Sequence, residues 1–205
     1  MAHDSWTHRL ARVAIRPLLG TGITPNPLTT ARLLSGLTAC AAFAVGGRSF
    51  DIWAGVLWVL SAFLDRADGE LARVGRMTSA SGHAYDYVCD VTVNGLVFLA
   101  IGIGLRESTV GAWAIALGVI AGVSVAIASL FSEALERRQG GGQKAFEGRG
   151  GFDFDDVLYL FGPVAWAGLL LPLLLGATVG GPVFALWTFI RLRRLSALAT
   201  SESTG

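Results

Sequence analysis

Four aspartates, Asp65, Asp68, Asp86 and Asp90, stand inside or at the ends of otherwise apolar stretches. At about 100° per residue, Asp65, Asp68, Gly69 and Ala72 share one helical face with Arg73 at its border. Gly82, Asp86 and Asp90 recur every four residues on the next stretch. If the two helices are antiparallel neighbours joined near residues 76–79, the carboxylates meet. Four carboxylates in apolar surroundings repel one another and are driven to protonate unless divalent cations bind. All-oxygen ligation points to Mg²⁺ or Mn²⁺, with phosphate oxygens of a substrate completing the shell. Small residues at 69, 72 and 82 let a bulky ligand approach the backbone.

The elements that must hold these groups are set by composition. The 205 residues are 53% apolar and only 15% charged, below the roughly 25% of a soluble domain. A spanning helix needs about 20 residues, so six fit in this length. Apolar runs near 28–47, 52–73, 82–105, 110–135, 156–177 and 180–198 predict six transmembrane helices. Residues 46–48, 106–108 and 176–181 read as short connections, and 137–155 as the long one. Residues 1–23 read as an amphipathic interfacial segment, with Trp6, Leu10, Val13 and Pro17 on one side and Arg9, Arg12 and Arg16 on another. Residues 24–198 form the membrane domain and 199–205 a polar tail.

A net charge of +1 excludes a nucleic-acid binder that works by bulk charge. Cys40 and Cys89 lie in apolar runs, which argues against a disulfide or a cysteine-based zinc site. With six spans, fourteen basic residues fall on one side, while Arg48 and Arg106 fall on the other. That bias places both termini in the cytoplasm.

Together the site residues spell Asp65-x2-Asp68-Gly69-x2-Ala72-Arg73-x8-Gly82-x3-Asp86-x3-Asp90. This resembles the complete signature of the CDP-alcohol phosphotransferase (CDP-alcohol phosphatidyltransferase) family, with every fixed position and both gaps matching. A chance match at this composition is on the order of 1 in 10⁹ per start position, which sets coincidence aside. The string Pro25-Asn26-x-Leu28-Thr29 also resembles family members, though it is short.

The resemblance implies a six-helix membrane enzyme, in the bacterial inner membrane, with its site on the cytoplasmic side. By that resemblance Asp65, Asp68 and Asp86 are the principal ligands of two divalent ions, Mg²⁺ or Mn²⁺. Asp90 lies close to the second ion and is the base for the acceptor hydroxyl. Asp68, Gly69, Ala72, Arg73 and Gly82 shape the cytidine nucleotide site. The partners expected are a CDP-alcohol donor, with CDP-diacylglycerol favoured, a hydroxyl acceptor and membrane lipids. Family members are often homodimers. The reaction expected is phosphodiester formation with release of CMP, in phospholipid biosynthesis.

Other readings compete at particular residues. Helix-end carboxylates paired with Arg66, Arg73 and Arg76 explain any one aspartate, but not all four at these spacings. A cation or proton transporter explains the aspartates, but not Gly69, Ala72, Arg73 and Gly82 at fixed offsets. CDP-choline or CDP-ethanolamine transfer to a lipid alcohol is the enzymatic alternative. Arg137, Arg138, Lys144 and Arg149 are the candidates to hold an acceptor phosphate, in a stretch that also carries Glu147, Asp153, Asp155 and Asp156. Gly118-x3-Gly122 supports close helix packing within the chain or across a dimer.

Overall fold

The structure is a computed structural model that describes residues 5–138 and 154–202. Among these the chain is all-helical. The helices are α1 (Trp6–Ile15), α2 (Asn26–Val45), α3 (Arg48–Val74), α4 (Ala80–Gly104), α5 (Trp113–Arg138), α6 (Phe161–Trp166) and α7 (Leu170–Glu202). A 3₁₀ segment, Phe154–Leu160, leads into α6. Four helices are long and apolar enough to cross a membrane: Asn26–Val45, Ala80–Gly104, Trp113–Arg138 and Leu170–Leu195. Helix α3 is as long, but Asp65, Arg66, Asp68, Glu70 and Arg73 crowd its C-terminal half.

Burial of apolar area drives helices together only weakly inside lipid, so close packing has to do that work. Here α4 and α5 touch through small residues. A Cβ on Gly102 would collide with the Ala114 carbonyl, and one on Gly118 or Gly122 with the Phe98 or Gly95 carbonyl. The Gly118-x3-Gly122 pair therefore packs within the chain. At the opposite end from the aspartates, Gly104 meets the Phe43 carbonyl and brings α2 against α4. Around these contacts Phe43, Trp58, Val93, Val97, Phe98, Ile101, Phe161 and Leu174 form the core. Phe161 stacks on Trp58 at 5.1 Å and meets Phe98 edge-on at 5.5 Å.

The three spans placed between 52 and 135 coincide with α3, α4 and α5 to within a few residues, and the first with α2. The last two differ from expectation. Residues 176–181 are not a connection but lie inside α7, which runs unbroken past Pro182. Gly176 and Gly180 face open space, whereas Gly181 fits against Ser124 and Ala121 of α5, so only Gly181 serves packing. The turn falls instead at Gly168, whose φ of +73° suits glycine. Its N–H bonds the Ala165 carbonyl, and the Leu169 N–H reaches the Val164 carbonyl, which is the Schellman pattern.

Residues 154–166 run antiparallel to α3. Asp156 meets Arg66 at the site end, the Trp58 indole donates to the Leu158 carbonyl, and Arg48 donates to the Ala165 and Trp166 carbonyls at the far end. The 3₁₀ part lengthens this segment, since it rises about 2.0 Å per residue rather than 1.5. Helix α7 then returns alongside α5 in the same direction, with Thr178 donating to the Leu117 carbonyl and Phe189 against Phe131.

Helix α1 is present, with Trp6, Leu10 and Val13 exposed. Its contact with α3 uses a third face, Thr7, His8, Ala11 and Ile15, which the two-sided reading did not single out. Pro17 lies outside it, in a 3₁₀ turn.

Candidate metal and nucleotide site

The site is assembled around the turn between α3 and α4. Helix α3 ends in a second Schellman pattern, with the Arg76 N–H on the Arg73 carbonyl and the Met77 N–H on the Ala72 carbonyl. Arg76 takes a φ of +57° there, uncommon for a residue with a Cβ. Ser79 caps α4 by accepting from the Gly82 N–H at 3.1 Å. Helices α3 and α4 are joined by this short link but are not the packing neighbours expected from the sequence; both pack along α2, which sets Asp86 toward Asp65 and Asp68. Carboxylate oxygens of Asp65, Asp68 and Asp86 all lie within 4.8 Å of one another.

Asp90 sits one turn further along α4, outside that triad, and joins it through Arg32 of α2. The Arg32 guanidinium meets Asp65 at 3.3 Å, Asp86 at 3.2 Å and, most closely, Asp90. Arg32 is only 3% exposed. Sequence reasoning counted it among basic residues on one side of the membrane and missed this role. A lone arginine some thirty residues before the motif carries no spacing signal of its own.

Arg32 does not satisfy the whole cluster. Asp68 Oδ2 is buried without a hydrogen-bond partner, although the Thr29 hydroxyl stands beside this carboxylate. An orphaned carboxylate oxygen against two more carboxylates, all hard oxygen donors, fits a divalent cation of the Mg²⁺ or Mn²⁺ type. Thr29 and Asn26, from the short string before the motif, both reach the site. A Cβ on Gly82 would lie 3.6 Å from the Asn26 side-chain oxygen and 3.0 Å from the Ser79 hydroxyl.

The nucleotide candidates are disposed unevenly. A Cβ on Gly69 would meet only the Arg73 guanidinium, at 3.8 Å, so this face of α3 has room for a ligand. Ala72 follows one turn on, half-buried. Arg73 points toward α1, donating to Glu70 at 2.7 Å and lying 3.2 Å from His8.

That contact belongs to a second charged cluster, absent from sequence reasoning, on the other face of α3. Buried Glu70 is met by His8 at 2.8 Å, Arg12 at 3.0 Å and Arg73. Buried Arg66 reaches Asp156 at 3.3 Å and His8 at 3.1 Å, and the Thr7 hydroxyl donates to Asp156 at 2.7 Å. Arg66 and Arg73 therefore both take part in this cluster.

Of the acceptor candidates, Arg137 pairs with Glu133 at 2.8 Å and Arg138 ends α5. Lys144 and Arg149 lie outside the described residues. Exposed His83 also meets Glu133, at 3.2 Å. Cys40 and Cys89 are free and buried, as expected of small core residues. A cavity of about 460 Å³ opens beside the aspartates between α3, α4, α5, α7 and residues 157–161, with Asp65 and Asp90 on its wall.

The sequence model of the CDP-alcohol phosphatidyltransferase family matches residues 22–147, more than half of the chain, and spans all four aspartates. A curated protein of Thermococcus kodakarensis, named bifunctional IPC transferase and DIPP synthase, is 36% identical over 94 residues. Those residues are 46% of this chain and 21% of that protein, so the chain matches about a fifth of its relative's length.

Proposed function

The chain belongs to the CDP-alcohol phosphatidyltransferase family, and from that premise we propose that it transfers the phosphatidyl group of CDP-diacylglycerol to a hydroxyl acceptor, releasing CMP. One observation carries the reading: three carboxylates of the motif converge within 4.8 Å, and one buried oxygen among them has no partner. Asp65, Asp68 and Asp86 would hold one divalent cation, with Asp90 beside a second. Such ions would supply charge neutralisation for the donor diphosphate and for the CMP leaving group.

The chain's own groups do the rest. The open face over Gly69 and Ala72, the Gly82 end of α4 and the Arg73 guanidinium receive the cytidine nucleotide. Asp90, oriented by Arg32, accepts the proton of the acceptor hydroxyl. The acceptor oxygen bonds to the phosphorus that carries the donor alcohol. The bond from that phosphorus to the bridging oxygen breaks, and CMP leaves with the electron pair. The product is a phosphodiester. The relative's printed name, a transferase and synthase, is in keeping with this class of reaction.

The same reading gives six crossings. Helix α3 crosses despite its charges because they face protein rather than lipid, and residues 154–166 cross as the fifth, shorter segment. Helix α1 lies in the interface with Trp6, Leu10 and Val13 toward lipid. Both termini and the site face the cytoplasm of a bacterial cell, consistent with the bias of basic residues. Assembly as a homodimer is part of the proposal.

A second reading is favoured by Arg32, which already pairs with three of the four aspartates, as it would in a purely structural ion cluster. The test is CMP release by the purified protein in detergent. CDP-diacylglycerol is compared with CDP-choline and CDP-ethanolamine, each with lipid extract and pooled alcohols, with and without Mg²⁺ or Mn²⁺. Metal-dependent release from CDP-diacylglycerol alone is expected. Release only from the other two donors would transfer the assignment to the alternative chemistry, and no CDP binding at all would favour the structural cluster.

A further inference from the structure

The cavity beside the aspartates restricts the acceptor. Its wall is largely apolar, with Trp58, Phe98, Phe161 and Phe184 among the lining residues. Its polar residues include Asn94, Ser129 and Ser132, and its charged ones are Asp65, Asp90, Glu133 and Glu136. Among the described residues no lysine or arginine lines it. Arg137 is turned to Glu133 and is not on the wall. Arg32 is enclosed between the aspartates and is not on the wall either.

A phosphate group entering this space beyond the metal ligands would lose its hydration against a largely apolar wall and find there, among the described residues, none of the paired guanidinium or ammonium groups that such an anion requires. An alcohol without a phosphate loses little by the same move. Its hydroxyls match the serine, asparagine and carboxylate acceptors, and its carbon skeleton covers aromatic surface. The Asp90 carboxylate is on the wall, so a hydroxyl in the cavity is presented to the group that takes its proton.

We infer that the acceptor of this transferase is an alcohol carrying no phosphate of its own, held in the cavity between α4, α5 and α7. This deepens the proposed function and rests on it. Two sources supply such a hydroxyl, a free polyol and a neutral membrane lipid.

The experiment has two parts on the full chain in detergent with Mg²⁺. First, CMP release from CDP-diacylglycerol is measured with glycerol, with inositol, with a short-chain diacylglycerol, and with glycerol 3-phosphate and inositol 1-phosphate. Release with one of the first three, and at least about tenfold less with the phosphorylated pair, is expected. Which of the three works separates the polyol from the lipid. Second, Ser129→Phe fills the cavity from the α5 side. A KM for the acceptor raised by about tenfold or more, with unchanged affinity for CDP, is expected. The CDP measurement also reports that the variant is folded, and Ser132→Phe serves if it is not. A phosphorylated acceptor preferred by the wild type, or an acceptor KM indifferent to a folded cavity-filling variant, overturns the inference while leaving the transferase reading in place. Absence of both CMP release and CDP binding in the wild type overturns the two together.

Discussion

Helix α3 carries two charged faces at the same depth, and they are built in opposite ways. On one, Asp65 and Asp68 join Asp86 and Asp90 of α4, four carboxylates that, among the described residues, are paired by the guanidinium of Arg32. On the other, Glu70 and Asp156 are answered by Arg12, Arg66, Arg73 and His8, and each oxygen of Glu70 has a partner. Burial is alike, since Asp68 and Glu70 are each 3% exposed. The charge balance is not. A buried cluster that its own protein neutralises is a joint, here between α1, α3 and residues 154–158. Buried carboxylates that outnumber the cations beside them are unfinished without added positive charge, whereas a surplus of guanidiniums that reach partly exposed positions such as Arg12 and Arg73 is met by solvent.

The largest effect should come from removing charge on the surplus face. Asp65→Asn or Asp86→Asn should lower CMP release by about 10³-fold or more, roughly 4 kcal/mol in the barrier. Thermal unfolding without added metal should stay the same or rise, because like-charge repulsion falls. Asp90→Asn should lower turnover similarly while CDP affinity is kept. A loss of stability in these variants without metal would mean that both faces are joints, and the contrast would collapse.

Glu70→Gln should do the reverse. It leaves Arg12, Arg73 and His8 around a neutral group, and breaking a buried pair of this kind costs about 3 kcal/mol. Thermal unfolding should drop sharply, with CMP release per folded molecule kept near the wild-type value. Severe loss of turnover in a folded Glu70→Gln protein would place the balanced face in the catalytic machinery.

These two faces were unequally legible in the sequence. The aspartates announce themselves because their spacing is local: i, i+3 on one helix and i, i+4 on the next, with one short turn between. The balanced face is made of pairs such as His8 with Glu70 and Arg66 with Asp156, separated by 62 and 90 residues. No periodicity links residues that far apart. Arg32 was hidden for the same reason. The apolar pattern located α2 to α5, since hydrophobic length dominates there. It misplaced the break before α7, because glycines 176, 180 and 181 look like a loop even where the helix runs straight through them.

Arg32 tests whether the surplus is meant for metal. Arg32→Met removes the only positive charge among the aspartates in the described structure. About 2 kcal/mol of stability should be lost in a metal-free buffer, given the net worth of hydrogen bonds to charged groups. Millimolar Mg²⁺ should restore much of that loss, since the ion would bind the folded state alone. Unfolding temperatures that ignore Mg²⁺ in this variant would favour Arg32 as the intended and sufficient counterion.

Arg73 stands on the border and sharpens the division. By the motif it belongs to the nucleotide site, yet its guanidinium contacts Glu70 and His8. Arg73→Ala should weaken CDP binding about tenfold, about 1.4 kcal/mol, if the side chain swings to the ligand. An unchanged CDP affinity with lowered stability would assign it wholly to the balanced face.

The smallest effect concerns the turn that sets the surplus face in register. Two Schellman turns in this chain place a residue in the left-handed region, Gly168 before α7 and Arg76 before α4. Glycine adopts that conformation without cost, whereas a residue with a Cβ is strained there by about 1 kcal/mol. Arg76→Gly relieves the strain, although a more flexible unfolded chain offsets part of the gain. The expected result is a stabilisation of a few tenths of a kcal/mol up to about 1 kcal/mol, read from thermal unfolding. The converse, Gly168→Ala, should destabilise by a similar amount. Neither turn contributes a carboxylate, so CMP release should follow only the fraction folded. If Arg76→Gly instead slows CMP release in a well-folded protein, the Arg76 side chain itself acts at the site. The surplus face would then extend past the last signature residue of α3 into the turn.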